Sequence, residues 1–236
     1  MPRKLRFAPP GYYLHITQRG NYRQRTFHSD RDRILFLDLL ALHADARQVD
    51  VLAYCIMSNH FHLVARSGAE GGISRFMQSL TGQYAQQLHG RLGRRGRLWQ
   101  ERFYSCVLDA GHQSAALRYV ELNPVRAHIV CDASQYQWSS APIHCRVEGT
   151  AIEAPDWLDL QEFERMMRDD PGLAGELPWQ EVLSAGQPRE ERAAIRRATQ
   201  WEVPLGDIGF IERLEAEFGR RLGPSSERRP NRAAAA

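Results

Sequence analysis

Only four cysteines occur in the chain, Cys55, Cys106, Cys131 and Cys145, and no two of them form a CxxC pair. That scarcity excludes a disulfide-built scaffold and a zinc ribbon, both of which need closely paired thiols. No apolar run approaches the roughly 18 residues of a membrane span. The opening MPRKLRFAPPGYY is basic but lacks the apolar stretch of a secretory leader, so a soluble, cytoplasmic protein with no membrane partner is expected. There is no internal repeat. Nor does one sign of charge dominate, since 31 basic residues against 28 acidic ones leave a net +3. Such a balance permits nucleic-acid binding without establishing it, because local clustering counts for more than the sum. Clusters are present, as HGRLGRRGRLWQER over 89–102 and GRRLGPSSERRPNR over 219–232. Either could equally be a solvated basic loop.

What is present is enough apolar side chain, 43% of 236 residues, for one ordinary domain and a smaller appendage. Residues 12–18, rich in β-branched and aromatic side chains, read as a strand ending at Arg19-Gly20-Asn21. Ser29-Asp30 caps a helix over 31–47, with Phe36, Leu39, Leu40 and His43 at helical spacing. Residues 49–57 form a second strand, mostly apolar and therefore expected at the centre of its sheet. Ser58-Asn59 breaks it tightly, so 60–65 returns as an antiparallel partner. A helix over 73–90 carries the stripe Ile73, Phe76, Met77, Leu80, Tyr84 and Leu88. The basic loop, a strand over 102–108 and a helix over 113–123, stopped by Pro124, follow. This order predicts an α+β fold, a split β-α-β arrangement in which helices flank an antiparallel sheet of about four strands. Residues 1–147 are expected to be that domain and 148–180 an irregular linker with one short helix near 160–168. A small helical module over 181–222 and a basic, disordered tail over 223–236 complete the expectation.

Two features carry chemistry. Side chains alternate along a strand, so His60 and His62 point one way and Phe61 and Leu63 the other. Two imidazoles so placed form a preformed pair of metal ligands, although His-aromatic-His also arises on ordinary solvent-facing strands. In the helix before Pro124, Tyr119 and Asn123 stand four residues apart and share a face with His112 and Ala116, while Leu117 and Val120 anchor the other side. A phenol and an amide oxygen there could meet the metal together; packing alone also accounts for a half-buried tyrosine. Tyr84 falls on an apolar stripe, and the facing of Tyr104 is left open by alternation.

The sequence resembles the small tyrosine transposases of the HUH endonuclease superfamily, particularly the REP-associated tyrosine transposases. The matching stretches are YLHITQRGN over 13–21, YCIMSNHFHLV over 54–64, LWQERF over 98–103 and RYVELNPVRA over 118–127, with Trp138-Ser139-Ser140 behind. The resemblance implies a ferredoxin-like HUH fold with a small helical C-terminal extension. It implies His60 and His62 as metal ligands, Tyr119 as the nucleophile and Asn123 as an amide ligand. Some relatives have Gln at the last position, so Asn shortens that reach by one methylene. It further implies Mg²⁺ or Mn²⁺ as cofactor, single-stranded DNA with a hairpin or palindrome as partner, and a transposase and endonuclease passing through a 5′-phosphotyrosine. For DNA contacts, Arg91, Arg94, Arg95 and Arg97 could hold phosphates, Trp99 or Phe103 could stack a base, and Thr17, Arg19 and Asn21 could line the groove. A homodimer whose tyrosine helix completes the partner's site and a self-contained monomer both stay open. Two rival readings are a non-catalytic DNA-binding regulator on the same fold and a two-histidine phosphoesterase. The second would need two His-x-Thr/Ser motifs, of which His15-Ile16-Thr17 supplies one and His60-Phe61-His62 does not supply the other.

Overall fold

Alternation along the strands sends side chains into two separate layers, and helices cover both. The computed structural model describes residues 6–146, 154–170, 173 and 177–222. The elements are β1 (Leu14–Arg19), α1 (Asp30–Arg47), β2 (Val49–Ile56), β3 (His60–Ser67), α2 (Gly72–Leu92), β4 (Tyr104–Val107), α3 (Ala110–Glu121) and α4 (Asn123–Arg126). After them come α5 (Ala141–His144), α6 (Leu160–Asp169), α7 (Trp179–Ser184), α8 (Arg189–Trp201) and α9 (Ile208–Phe218). The sheet order is β2-β3-β1-β4, with every pairing antiparallel, which is the expected split β-α-β, α+β architecture.

On one face Leu14, Ile16, Phe61 and Leu63 pack against Phe36 and Leu40 of α1 and Phe76, Leu80 and Tyr84 of α2. The Phe36 and Phe61 rings stand 4.7 Å apart. Full burial of each such side chain contributes about 1.5–3 kcal/mol. On the other face Cys55, Val64 and Cys106 meet Ala116, Leu117 and Val120 of α3, joined by Phe163, Trp179, Leu183 and Ala198 from later helices. A bulge in β2, where the register skips from Val51 to Ala53, sends both Leu52 and Ala53 to this second layer.

Two expectations need correction. β2 lies at the rim of the sheet, not its centre. Its apolar character follows from helices on both faces and from covering loops. Ile56 N donates to Trp138 O at 2.8 Å, Ser140 N to Tyr54 O at 3.0 Å and Asp159 N to Val51 O at 2.8 Å. Pro124, in turn, does not simply stop the tyrosine helix. α3 ends at Glu121, and Pro124 sits in the first turn of α4, where a missing N–H costs nothing.

The C-terminal helices share these cores. Val182 and Leu183 of α7 and Ala198 of α8 sit in the second layer, while Phe210 and Leu214 of α9 sit in the first. Leu205 pairs beside Leu108 at the other rim, its N–H 2.8 Å from Val107 O. The expected tail over 223–236, parts of the expected linker (148–153, 171–172 and 174–176) and residue 147 at the end of the expected domain lie outside the described residues. Among the described residues no helix is long and apolar enough to cross a membrane.

Candidate active site

The layer facing α3 and α8 gathers the candidate site residues. Antiparallel pairing sets Thr17 opposite His62 and Arg19 opposite His60, so both histidines project where β1 also projects His15, Thr17 and Arg19. α3 lays Tyr119 over them. Its ring meets His15 edge-on at 5.3 Å and His62 edge-on at 5.7 Å. α4 adds Asn123 and Arg126, α8 adds Arg196 and Thr199, and together these side chains line a cavity of ≈ 350 Å³. Among the described residues its walls carry three arginines, Arg19, Arg126 and Arg196, and no carboxylate.

Neighbours decide which ring nitrogens are free. Asn59 donates through Nδ2 to Arg23 O at 3.0 Å, which turns its Oδ1 toward His60 Nδ1, 2.7 Å away. That oxygen can only accept, so the His60 proton sits on Nδ1 and Nε2 is available to a ligand. His62 Nδ1 lies 2.9 Å from Nε2 of His15, again leaving Nε2 on the cavity side. Burial, and then nearby Arg19, lowers His60 to about 3. Burial, and then Arg126, lowers His15 to about 3. His62 falls well below the ordinary range, first through burial and then through His60 and His15. All three rings are neutral at physiological pH, the form that binds metals.

Asn123 donates through Nδ2 to Tyr119 O at 2.9 Å and Val120 O at 3.1 Å, leaving the amide oxygen as its outward acceptor. Arg126 donates to Tyr119 O and holds its guanidinium 4.7 Å from the Tyr119 ring centre. Among the described residues no three His, Cys, Asp or Glu side chains converge as a metal group. The expected ligands, two imidazoles and the Asn123 amide, line one cavity, and such a set could hold a divalent ion while leaving positions open for substrate oxygens. Tyr104 lines the same cavity, but its hydroxyl donates to Glu101 at 3.3 Å, and burial with that carboxylate raises its pKa. Tyr84 is fully buried and donates to Thr26 O at 2.7 Å, a packing role.

Residues 10–123 match the profile of the family described as transposase, IS200 like. The matched segment, 114 of 236 residues, is similar to that family of transposases. A solved structure of a REP-associated tyrosine transposase bound to a REP hairpin matches with a TM-score of 0.52 at 17% identity, covering 67% of this chain and 94% of that one. A candidate transposase from Deinococcus radiodurans matches at 19% identity with a TM-score of 0.37, over 54% of this chain and 92% of its own. No curated protein matches the chain.

The residues expected to touch DNA divide into two groups. Thr17 and Arg19 line the histidine cavity, and Asn21 follows directly, its backbone N–H bonded to Leu98 O at 2.8 Å. The basic stretch lies elsewhere. Arg91 belongs to the last turn of α2 and pairs with the buried Asp32, so its charge is already engaged. Arg94, Arg95 and Arg97 are exposed beyond it. Trp99 donates to Thr81 O at 3.0 Å and packs its ring 5.6 Å from Phe61, which places the indole in the aromatic core. Phe103 is buried under the Arg6 guanidinium, 3.9 Å from its ring centre.

Sequence reasoning missed His15, Arg126, Arg196 and Thr199 as cavity residues. For His15 the signal was available, since β1 and β3 pair antiparallel and its alternation matches Thr17. For Arg196 and Thr199 no local pattern could reveal that α8 returns to the sheet. Outside the cavity, Tyr22 is 92% exposed, with a left-handed backbone (φ 50) in the turn that Asn59 ties to the histidine strand.

Proposed function

We propose that this protein is a transposase that cuts and rejoins single-stranded DNA beside a hairpin, with Tyr119 as nucleophile and His60, His62 and Asn123 holding a divalent ion, Mn²⁺ or Mg²⁺. The observation that carries this reading is the shared cavity, in which the Tyr119 ring stands 5.7 Å from that of His62 with Asn123 beside it. When bound, the ion supplies positive charge for the oxygens of the scissile phosphate. Arg19, Arg126 and Arg196 hold neighbouring phosphates, and the absence of carboxylate from the walls keeps the cavity receptive to a polyanion. The exposed Tyr22 ring offers a stacking face to an unpaired base.

In the chemical step the Tyr119 oxygen bonds to phosphorus as the bond to the 3′ oxygen breaks. The phenol loses its proton, the departing 3′ oxygen gains one, and a 5′-phosphotyrosine remains. Attack by a later 3′-hydroxyl reverses these events and rejoins a strand without ATP. The REP hairpin held by the structurally similar transposase supports a hairpin or palindrome as the recognised element.

Labelled single-stranded hairpin DNA, protein and Mn²⁺ test the reading on a denaturing gel. A covalent adduct is expected with wild type, Tyr84→Phe and Tyr104→Phe, and none with Tyr119→Phe or excess chelator. An adduct that survives Tyr119→Phe would assign the nucleophile elsewhere. Absence of adduct on well-matched hairpins would favour the non-catalytic regulator. The phosphoesterase reading needs His15 to face its substrate, yet both ring nitrogens of His15 are bonded within the protein.

A further inference from the structure

Thr199 lies on α8, well beyond the family segment, and its hydroxyl reaches the back of the cavity. Oγ1 is 2.8 Å from Ile195 O and 2.8 Å from His15 Nδ1. His15 Nε2 is in turn 2.9 Å from His62 Nδ1. These three contacts admit one consistent placement of hydrogens. Two oxygens at 2.8 Å need a proton between them, and a carbonyl has none, so the Thr199 hydroxyl donates to Ile195 O. Its oxygen can then only accept from His15, whose single proton must sit on Nδ1. Nε2 of His15 is therefore bare and takes the proton of His62 Nδ1. His62 is left with an unprotonated Nε2.

We infer that Thr199 is a positioning residue which, through His15, locks His62 in the tautomer that presents a lone pair to the cavity. This rests on the proposed metal-bound reading of that site. Reversing the chain shows what is at stake. Were the Thr199 hydroxyl to donate to His15, each proton would shift along, and Nε2–H of His62 would meet a cation with hydrogen instead of a lone pair. His15 and Thr199 are 1% and 3% exposed, so water has little access to repair a broken link. Cys106, equally buried, places Sγ 3.3 Å from Thr199 Oγ1, close enough to donate weakly to its remaining lone pair. Outer partners of metal-bound histidines fix tautomer and ring orientation in this manner, and their loss weakens metal affinity about 10–100-fold. Here the outer partner comes from the C-terminal extension, so α8 completes a site begun by β1, β3 and α3.

Thr199→Val is nearly isosteric and removes only the hydroxyl, while Thr199→Ser keeps it. The first measurement is the tautomer of His15 and His62 in metal-free protein, from long-range nitrogen–proton NMR correlations, which also report folding. Wild type and Thr199→Ser should carry both protons on Nδ1, and Thr199→Val should move them to Nε2. The second is Mn²⁺ affinity by electron paramagnetic resonance, with hairpin DNA bound and Tyr119→Phe as background to prevent cleavage. Thr199→Val should bind Mn²⁺ about 10–100-fold more weakly, with Thr199→Ser close to the parent. A wild-type His62 protonated at Nε2, or an unchanged affinity in Thr199→Val while His62→Ala loses the ion, overturns the inference and spares the metal reading. If His60→Ala and His62→Ala both leave Mn²⁺ binding intact, the metal reading itself falls and this inference with it.

Discussion

Arg126 stacks on the ring of Tyr119, 4.7 Å from its centre, and also donates to the carbonyl of that residue. One cation thus orients the phenol twice, through the face of its ring and through its backbone. Lysine keeps the charge but has neither the planar fork nor the stacking surface. Arg126→Lys should slow adduct formation about tenfold, the equivalent of roughly 1.4 kcal/mol of a partly buried cation–π contact and hydrogen bond. Single-turnover gels would measure it. A rate equal to wild type would leave Arg126 without a part in holding Tyr119.

A cavity lined by three neutral histidines, uncharged amides and three arginines attracts a bare cation poorly. The phosphate supplies the missing negative charge, so ion and DNA should each strengthen the binding of the other. With Tyr119→Phe to prevent turnover, Mn²⁺ affinity should rise at least about fivefold on adding hairpin DNA, and DNA affinity should rise by the same factor on adding Mn²⁺. Titration calorimetry in both orders checks the equality. Independent binding would count against phosphate as a shared ligand.

Arg196 and the loop arginines are expected to separate in salt titrations. For a short single strand spanning only the cleavage site, Arg196→Gln should reduce the slope of log Kd against log salt by roughly 0.7, one phosphate contact. Replacing Arg94, Arg95 and Arg97 together by Gln should leave that slope unchanged, because they lie outside the cavity. The reverse pattern would move the groove to the loop.

Glu121 is fully buried and accepts from Ser140 Oγ at 2.5 Å, His144 Nδ1 at 2.6 Å and Trp179 Nε1 at 2.6 Å. Glu121→Ala strands three donors, so a loss of about 3–5 kcal/mol and a fall in Tm of about 10 °C are expected. Thermal unfolding followed by circular dichroism reads this directly. A shift of only a degree or two would mean that the network contributes little to stability.

His112 gives the α3 cap a pH dependence. Its hydrogen bond to Asp109, with Nδ1 2.6 Å from the carboxylate, raises its pKa above the ordinary 6.5, while the same contact lowers Asp109. A raised histidine stabilises fully below its unfolded value and loses that contribution as pH climbs through the folded one. The urea midpoint of wild type should therefore exceed that of His112→Gln most at pH 5.5, with the gap closing toward pH 8.5. A gap independent of pH would contradict the pairing.

How much was legible in the sequence differs by element. Strands and helices up to residue 121 could be read closely, because periods of two and near four are written in consecutive side chains. Phe61 and Leu63 on one face, His60 and His62 on the other, is such a case. The sheet position of β2 was not legible, since an apolar strand is explained equally by neighbours in the sheet and by loops laid along its rim. Among site residues, Tyr119 and Asn123 follow from local spacing joined to family resemblance. Thr199 does not. α8 buries little beyond Ile195, Ala198 and Thr199, too narrow a stripe to announce where the helix docks. Arg91 misled for a related reason: a buried acid, Asp32, is separated from it by 59 residues and claims its charge.

Both outer strands have backbone groups taken by later chain, Val51 by the segment at Leu158 and Asp159, and Val107 and Asp109 by Leu205. Trimming the protein to its family-matching stretch would uncover those rims together with the greasy underside that α6 to α8 now shield. Such a fragment should clump through strand-to-strand addition instead of behaving as a minimal enzyme. Insolubility of a shortened version would therefore reveal lost shielding and say nothing about its catalytic groups.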